Sequence, residues 1–325
     1  MKDTDFLYAT MRVRVNENNL LSSRAIERMV DARTPEEAVK VLADAGYGDV
    51  MPRSFKDVER ALGEMRAKVM AFIREISPSE EIYEVFALKY DFHNIKTIIK
   101  AAFTGEDAER LLSDSSYIPK EKLVSAVNGI DCSDLPEKMT EAIVKAKETL
   151  AHTRDPQLSD FILDRAYFEM ISDAAERSKS EFLKGYVRLL CDIANLRSAV
   201  RNMRQCRGAD VLSSSLVQGG SISTETFMSY NFESGFFGST LEEAAHLGAE
   251  AAAGTASLLE FERELDNAQI RYMRSAKYVA FDERPIIAYI AAREAEAMAV
   301  RIIMAGHLEG LAADEIRSRL RLSYV

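Results

Sequence analysis

The feature that most constrains the fold of this 325-residue chain is an internal repeat. Residues 88–96 read Leu-Lys-Tyr-Asp-Phe-His-Asn-Ile-Lys, and residues 189–197 read Leu-Leu-Cys-Asp-Ile-Ala-Asn-Leu-Arg. Both segments contain an Asp, an Asn three residues later and a base two residues after that, and the copies are 101 residues apart. A further step of 101 residues reaches Arg293 and Glu296 instead of the Asp and the Asn. The third copy is therefore degenerate.

Three other patterns recur in the same order along the chain. The dipeptides Leu62-Gly63, Leu163-Asp164 and Leu265-Asp266 are spaced by 101 and 102 residues. Helix-start signals begin at Thr34, Asp134 and Ser239, and a second set of starts follows Leu21, Ile118 and Ile222. Together the patterns predict three homologous helical units of about 100 residues. We place these repeats at residues 1–105, 106–207 and 208–325, the third beginning with a Gly/Ser-rich linker that contains short helical pieces.

Apolar residues within the repeats fall at helical spacing. One broad apolar face, as in a helix that packs against neighbouring helices, is formed by Phe86, Tyr90, Ile95, Ile98, Ile99 and Ala102. The chain has only 15 Gly and 7 Pro, and no segment alternates convincingly between apolar and polar residues as a strand would. We therefore predict an all-α fold.

Charge and cysteine content exclude several classes of protein. The formal net charge of −10 argues against broad nucleic-acid binding. Cys132, Cys191 and Cys206 are widely spaced, and no signal peptide precedes them, which is typical of reduced thiols in the cytoplasm. The longest uncharged run, residues 211–224, is rich in Ser and Gly and shorter than the ~20 apolar residues that span a bilayer. We therefore expect any membrane association to go through a partner.

The sequence contains no recognisable constellation for catalysis, metal binding or cofactor binding. Glu243 and His246 form one Glu-x-x-His pair, but a di-iron site on a helical bundle requires a second, and no other His has one. Residues 235–240 could offer backbone donors to an anion at a helix start, yet they lack the Lys of a phosphate loop. We interpret that segment as a helix cap, and we predict no catalytic residues, no cofactor and no metal.

Two groups of polar residues are candidates for binding or structural roles. The first is a row of bases at spacings of four, three and three residues, which would share one face of a helix: Arg197, Arg201, Arg204 and Arg207. This row is either a solvated stripe or a docking surface for an acidic partner. The second group is the repeat signature, for which we expect a structural role: Asp91, Asn94, Lys96, Asp192, Asn195 and Glu296. For its two Asp and two Asn residues we expect a repeated interhelix hydrogen bond.

The residues resemble those of a known family, the C subunit of prokaryotic V/A-type ATPases, which is related to the eukaryotic V-ATPase d subunit. The resemblance covers nearly the whole chain. It is carried by the start at residues 8–14 and 20–21, by residues 91–96 and 192–197, and by Glu296, Arg301, Gly306 and residues 310–317. The order of these segments is more specific than any one of them.

The resemblance implies three similar helical domains that form a funnel with pseudo-threefold symmetry and have no active site. It implies a rotor subunit of the central stalk, seated on the membrane proteolipid ring and receiving the shaft subunits D and F. Such a protein lies at the cytoplasmic face and touches the membrane only through the ring. Met298 departs from the pattern, because the first two repeats have a base there. The alternative left open by the residues is a helical-repeat scaffold of another complex.

Overall fold

The computed structural model of the chain describes residues 3–47, 54–230, 232 and 234–325. Over these residues the chain is helical and contains no β-strand, so the all-α prediction is confirmed. The α-helices in chain order are α1 (Leu7–Glu17), α2 (Ser23–Val30), α3 (Pro35–Asp44), α4 (Phe55–Ile76), α5 (Glu80–Thr104), α6 (Lys120–Val127), α7 (Glu137–Thr153), α8 (Pro156–Ser178), α9 (Glu181–Arg204), α10 (Ala209–Ser215), α11 (Thr224–Met228), α12 (Gly238–Ala253), α13 (Leu258–Arg274), α14 (Arg284–Leu308) and α15 (Ala313–Arg319).

Local sequence explains where several helices begin and end. The Thr34 side chain accepts a hydrogen bond from the amide of Glu37, and Pro35 occupies the first turn of α3, as its capping sequence predicts. Helix α5 ends at Gly105, whose φ of 77° is the left-handed conformation that glycine adopts without steric cost. The predicted linker, residues 208–239, contains only the short helices α10 and α11 and a 3-10 turn before α12 begins; its residues 231 and 233 lie outside the described part.

The chain divides into two compact bodies. The split body consists of Met1–Pro78 and Leu258–Val325, and the continuous body consists of Ser79–Ser257. The two bodies are defined by contacts in the structure. The three repeats are defined by the sequence pattern, and their boundaries after residues 105 and 207 stay a prediction. Among the described residues, no helix combines the length and the apolar character needed to cross a membrane.

The core of the split body joins residues from both ends of the chain. Met29, Leu42 and Leu62 of the N-terminal part pack in one cluster with Ile303 and Met304 of α14, and all five side chains are buried. Full burial of each such side chain contributes about 1.5–3 kcal/mol. The cluster therefore ties α2, α3 and α4 to a helix that lies some 250 residues later in the sequence.

A glycine allows the last two helices of the split body to pack closely. A Cβ atom at Gly306 of α14 would lie 2.5 Å from Cγ1 of Ile316, a buried residue of α15. Because real Cβ atoms do not approach a neighbour so closely, any larger residue at this position would push α15 away from α14.

The continuous body is built around α5, α8 and α9. Helix α8 packs against α5, α7 and α9, and α9 also contacts α12. The ring of Phe86 on α5 stacks on that of Tyr186 on α9, with 5.7 Å between ring centroids. Most of α5 is buried, including Asp91 and Asn94, which lie among apolar neighbours. This burial requires a hydrogen-bond partner for each polar atom of those two side chains.

Candidate functional site

In the first repeat, Asp91 and Asn94 of α5 hold the loop that precedes α6. The Asp91 carboxylate accepts hydrogen bonds from the amides of Ile118 (2.9 Å) and Tyr117 (3.2 Å). The Asn94 side chain accepts from the amide of Ser113 (2.7 Å) and donates to its carbonyl (2.9 Å). The two buried side chains thus bond to loop backbone, and not to a neighbouring helix as we expected. We call such a set of contacts a loop anchor.

The second repeat has a loop anchor with the same geometry. Asp192 of α9 accepts hydrogen bonds from the amides of Ile222 and Ser221, both at 3.0 Å. Asn195 accepts from the amide of Val217 (2.8 Å) and donates to the carbonyl of that residue (2.9 Å). The corresponding side chains of the first two repeats therefore hold corresponding positions of the loops that follow them.

Loop glycines fit tightly against the second anchor. A Cβ atom at Gly220 would lie 2.1 Å from Oδ1 of Asp192. The preceding residue, Gly219, has a φ of 100° and lies beside the Ser172 hydroxyl and the Cys191 thiol. Glycine at these two positions lets the backbone approach the carboxylate closely enough to donate its amides.

Burial raises the pKa of both anchor aspartates. The pKa of Asp91 is raised to about 7 and that of Asp192 to about 6, mainly because burial disfavours the charged form, while the two backbone amides oppose the shift. The nearby carboxylate of Glu84 raises the pKa of Asp91 further. Both anchors therefore change protonation between pH 5 and pH 8.

The degenerate third copy also forms a loop anchor, with different side chains. Glu296 of α14 accepts a hydrogen bond from the amide of Leu21 (2.5 Å) and another from the Tyr47 hydroxyl (2.8 Å). Arg293 donates to Glu296 (2.7 Å) and to the carbonyl of Asn19 (3.3 Å). The held segment precedes α2. Leu21 is the residue that the sequence pattern pairs with Ile118 and Ile222.

Buried charge changes the acid–base properties of this third anchor. Burial, and then the negative charge of Glu296, raise the pKa of the Tyr47 hydroxyl far above its ordinary value, so the phenol stays a hydrogen-bond donor. The Arg293 guanidinium also lies 5.4 Å from the centre of the Tyr289 ring and donates to its hydroxyl. The pattern gave no indication of Tyr47, because the contact joins residues 249 positions apart.

The base of the repeat signature forms an ion pair in the first repeat. Lys96 of α5 lies 2.5 Å from a carboxylate oxygen of Asp164 on α8. By sequence, Asp164 corresponds to Gly63 on α4, and Lys96 corresponds to Met298 on α14. The third repeat has therefore lost the base, and α4 of the first repeat, which packs against α14, lacks the acid that would pair with it.

The row of arginines does not lie on a single helix. Helix α9 ends at Arg204, and Cys206 has a φ of 52°, so Arg207 lies beyond the helix and the prediction of one shared face is wrong for that residue. Arg204 donates to the carbonyl of Ala251 (2.6 Å) in the last turn of α12, and Arg207 donates to the side chain of Gln157. Arg204 and Arg207 thus make contacts within the continuous body. Arg197 is half-buried on the helix, and Arg201 is exposed.

The described polar clusters have the geometry of structural anchors. His246 and Glu243 lie on α12, and within the described ranges no three His, Cys, Asp or Glu residues are grouped as metal ligands. Cys191 is buried, and burial raises the pKa of its thiol to about 12, which makes it a poor nucleophile. The described polar clusters can hold loops in place, and they present no nucleophile paired with a base.

Over nearly its whole length the chain is similar to C subunits of V-type and A-type ATPases and ATP synthases. A family model described as the ATP synthase (C/AC39) subunit matches residues 9–319. The C subunit of the V-type sodium ATPase of Enterococcus hirae is 24% identical, and the match covers 96% of this chain and 97% of the relative. The C subunit of the A-type ATP synthase of Methanocaldococcus jannaschii is 27% identical over 97% of this chain and 86% of its own length. The C subunit of the V-type ATP synthase of Thermus thermophilus is 22% identical, with 92% and 93% covered.

Proposed function

The chain belongs to the ATP synthase (C/AC39) subunit family, and from this premise we propose that it is a non-catalytic rotor subunit of a V/A-type ATPase. In this role it couples a membrane proteolipid ring to the central-shaft subunits D and F, so that ion transport is linked to ATP hydrolysis or synthesis. The observation that carries the proposal is the end-to-end match with relatives that are named as the C subunits of such enzymes.

The geometry of the described residues suits a part that transmits force. Each body is a set of packed helices, and close-packed interiors deform little under load. The loop anchors fix connections between helices by buried hydrogen bonds, which resist the local opening that exposed loops undergo. A coupling subunit requires such stiffness and does not require a reaction centre.

The family assignment supports a location and an arrangement as further parts of this proposal. The chain would be attached peripherally to the cytoplasmic face of the membrane, with its membrane contact made through the ring. Its repeats, residues 1–105, 106–207 and 208–325, would form three similar domains. The three loop anchors support this arrangement, because each holds the segment before one short helix of a repeat, namely α2, α6 or α11.

The deciding experiment is co-purification of the chain with the proteolipid ring and with the D/F shaft of its own enzyme. We expect both to be retained, and we expect no saturable ATP binding by the isolated chain in calorimetry. If the chain is retained by neither partner, the proposed function is wrong.

The arginine row can be tested in the same binding measurements. If it docks an acidic partner, Arg201→Gln combined with Arg204→Gln should weaken binding at low salt and reduce its salt dependence. Arg204→Gln alone is the control for loss of the hydrogen bond to the Ala251 carbonyl. Unchanged affinity for both partners, with an intact fold, would exclude the docking role of the row and leave the proposed function standing.

A further inference from the structure

The split body exposes large apolar side chains on two adjoining segments. Four of them belong to α1 and two to residues 277–282: Leu7, Tyr8, Met11, Val15, Tyr278 and Phe281. Tyr278 is 90% exposed, and Met11 and Val15 are more than 60% exposed. Large apolar side chains exposed on adjoining segments are typical of interaction sites on folded proteins, in which aromatic residues and Met are enriched. We call this surface the α1 face.

The two segments of the α1 face are held together by hydrogen bonds from side chains of α1. Arg14 donates to the carbonyls of Val279 (2.7 Å) and Ala276 (3.2 Å). Thr10, which is buried, donates to the carbonyl of Asp282 (3.1 Å). The exposed side chains therefore stand on a backbone that is already fixed, which lowers the entropic cost of binding a partner.

The spacing of the α1 residues fits a helical partner. Leu7, Met11 and Val15 follow one another at intervals of four residues and so form a ridge about 12 Å long on one side of the helix. Such a ridge packs into the groove between the side-chain rows of a second helix. The exposed side chains of Tyr278 and Phe281 extend the apolar surface beyond this ridge.

The charges on the α1 face indicate an acidic partner. Arg12 donates to the Tyr8 hydroxyl and lies 5.5 Å from the ring centres of both Tyr8 and Phe72, and the Glu75 carboxylate is 4.0 Å away, at the limit of an ion pair. Lys277 is exposed beside Tyr278. These cations occur on a chain whose net charge is −10. A symmetric contact between two copies would bring the same cations together, and two bases are too few for attachment to an anionic lipid surface.

We propose that the α1 face binds an amphipathic α-helix of another subunit, with its apolar side on the ridge and carboxylates opposite Arg12 and Lys277. The proposal rests on the proposed function for the identity of the assembly. It goes further by assigning a contact surface and the chemistry of its partner.

The test uses the full chain co-expressed with the other subunits of its own ATPase. In the test variant, Met11→Glu is combined with Tyr278→Glu, which places acids on the α1 face without disturbing the core. The matched control combines Leu111→Glu with Ile130→Glu, two exposed apolar positions of the continuous body. We expect the test variant to be retained in the purified complex about tenfold less than wild type, and the control to be retained normally. Circular dichroism melting confirms that both fold.

A photo-crosslinker in place of Tyr278 identifies the occupant, with the same group at Ile130 as a control. A crosslink to a carboxylate-bearing helical segment of another subunit supports the proposal. Crosslinks to lipid, to a second copy of the chain or to a non-helical segment overturn it. Normal retention of the test variant also overturns the proposal for the α1 face, but it leaves the proposed function standing. If the wild-type chain does not enter the complex, the proposed function fails and this assignment fails with it.

Discussion

The continuous body and the split body use different side chains in their loop anchors. These anchors hold the segments before α6 and α11 in the continuous body and before α2 in the split body. In the continuous body an aspartate accepts two loop amides, and an asparagine one helical turn later bonds to a third loop residue. In the split body the carboxylate stands at the asparagine position, as Glu296, and an arginine stands at the aspartate position. Glu296 nevertheless accepts a hydrogen bond from the amide of Leu21, as the aspartates do from their loop amides.

In all three anchors a buried carboxylate accepts a hydrogen bond from a loop amide, although the residue type and its position on the helix differ. The carboxylate of the third anchor has moved by one turn along the helix, and the longer Glu side chain still reaches the loop amide. Glu296 is paired with the buried cation of Arg293. The carboxylates of the continuous body are instead those of Asp91 and Asp192, whose pKa is raised by burial. The comparison predicts that the anchors respond differently to mutation and to pH.

The largest effect is expected in the split body. Arg293→Leu should leave Glu296 buried without its cation and lower the free energy of unfolding by about 3–5 kcal/mol. Urea denaturation followed by circular dichroism measures the change. Adding Glu296→Gln to Arg293→Leu should recover part of the loss, because the uncompensated charge is then removed. A loss below about 1 kcal/mol for Arg293→Leu would show that the ion pair is not what holds this anchor.

A smaller and matched effect is expected for the asparagines of the continuous body. Asn94→Leu leaves the N–H and the carbonyl of the half-buried Ser113 without these partners, and Asn195→Leu does the same at the buried Val217. Each change should cost about 2–3 kcal/mol. Hydrogen exchange should accelerate at the amide of Ser113 in the first variant and of Val217 in the second. Similar losses would establish the two anchors as equivalent. A neutral result in one repeat alone would break the equivalence.

The pH dependence separates the two aspartates. Because folding raises their pKa above the ordinary value for Asp, each contributes stability at low pH that is lost as pH rises through its folded-state pKa. That value is about 7 for Asp91 and about 6 for Asp192. Between pH 6 and 7, Asp91 should cause a loss of about 1 kcal/mol, and Asp192 less than half as much.

The pH prediction is checked with Asp91→Asn and Asp192→Asn, each unfolded in urea at several pH values. Asp91→Asn should flatten the decline of stability between pH 6 and 7, and Asp192→Asn should flatten it mainly below pH 6. The change of slope is the readout, since both variants also alter hydrogen bonds. Slopes that match wild type in both variants would contradict the assignment.

The smallest effect concerns the base of the repeat signature. Lys96→Met makes the first repeat resemble the third and removes a partly exposed ion pair, so it should cost about 0.5 kcal/mol. Met298→Lys, the reverse change, should not stabilise the split body, because Gly63 stands at the position of Asp164. Thermal melting of both variants tests this. A stabilising Met298→Lys would show that another acid receives the new charge.

The sequence predicted the helical fold and the family, and it predicted the anchor positions better than their partners. The spacing of Asp91, Asn94, Asp192 and Asn195 is a local pattern, and helical periodicity is a local property, so both could be recognised without a structure. The partners of Glu296 could not, because they lie 249 and 275 residues away. The end of α9 was missed as well. Arginines continue at helical spacing to Arg207, whereas the backbone turns at Cys206.

The discontinuity of the split body has a consequence for biosynthesis. Residues 1–78 cannot complete their core until residues 258–325 have been made, because α14 supplies Ala297, Val300, Ile303 and Met304 to the cluster around Met29 and Leu42. At about 5–20 residues per second, the ribosome needs roughly 10–40 s to synthesise the intervening segment. During that interval the continuous body can fold as it emerges. The N-terminal helices meanwhile lack the residues that complete their core, so their apolar side chains stay exposed and can bind chaperones. The order of translation therefore favours folding of the continuous body before the split body.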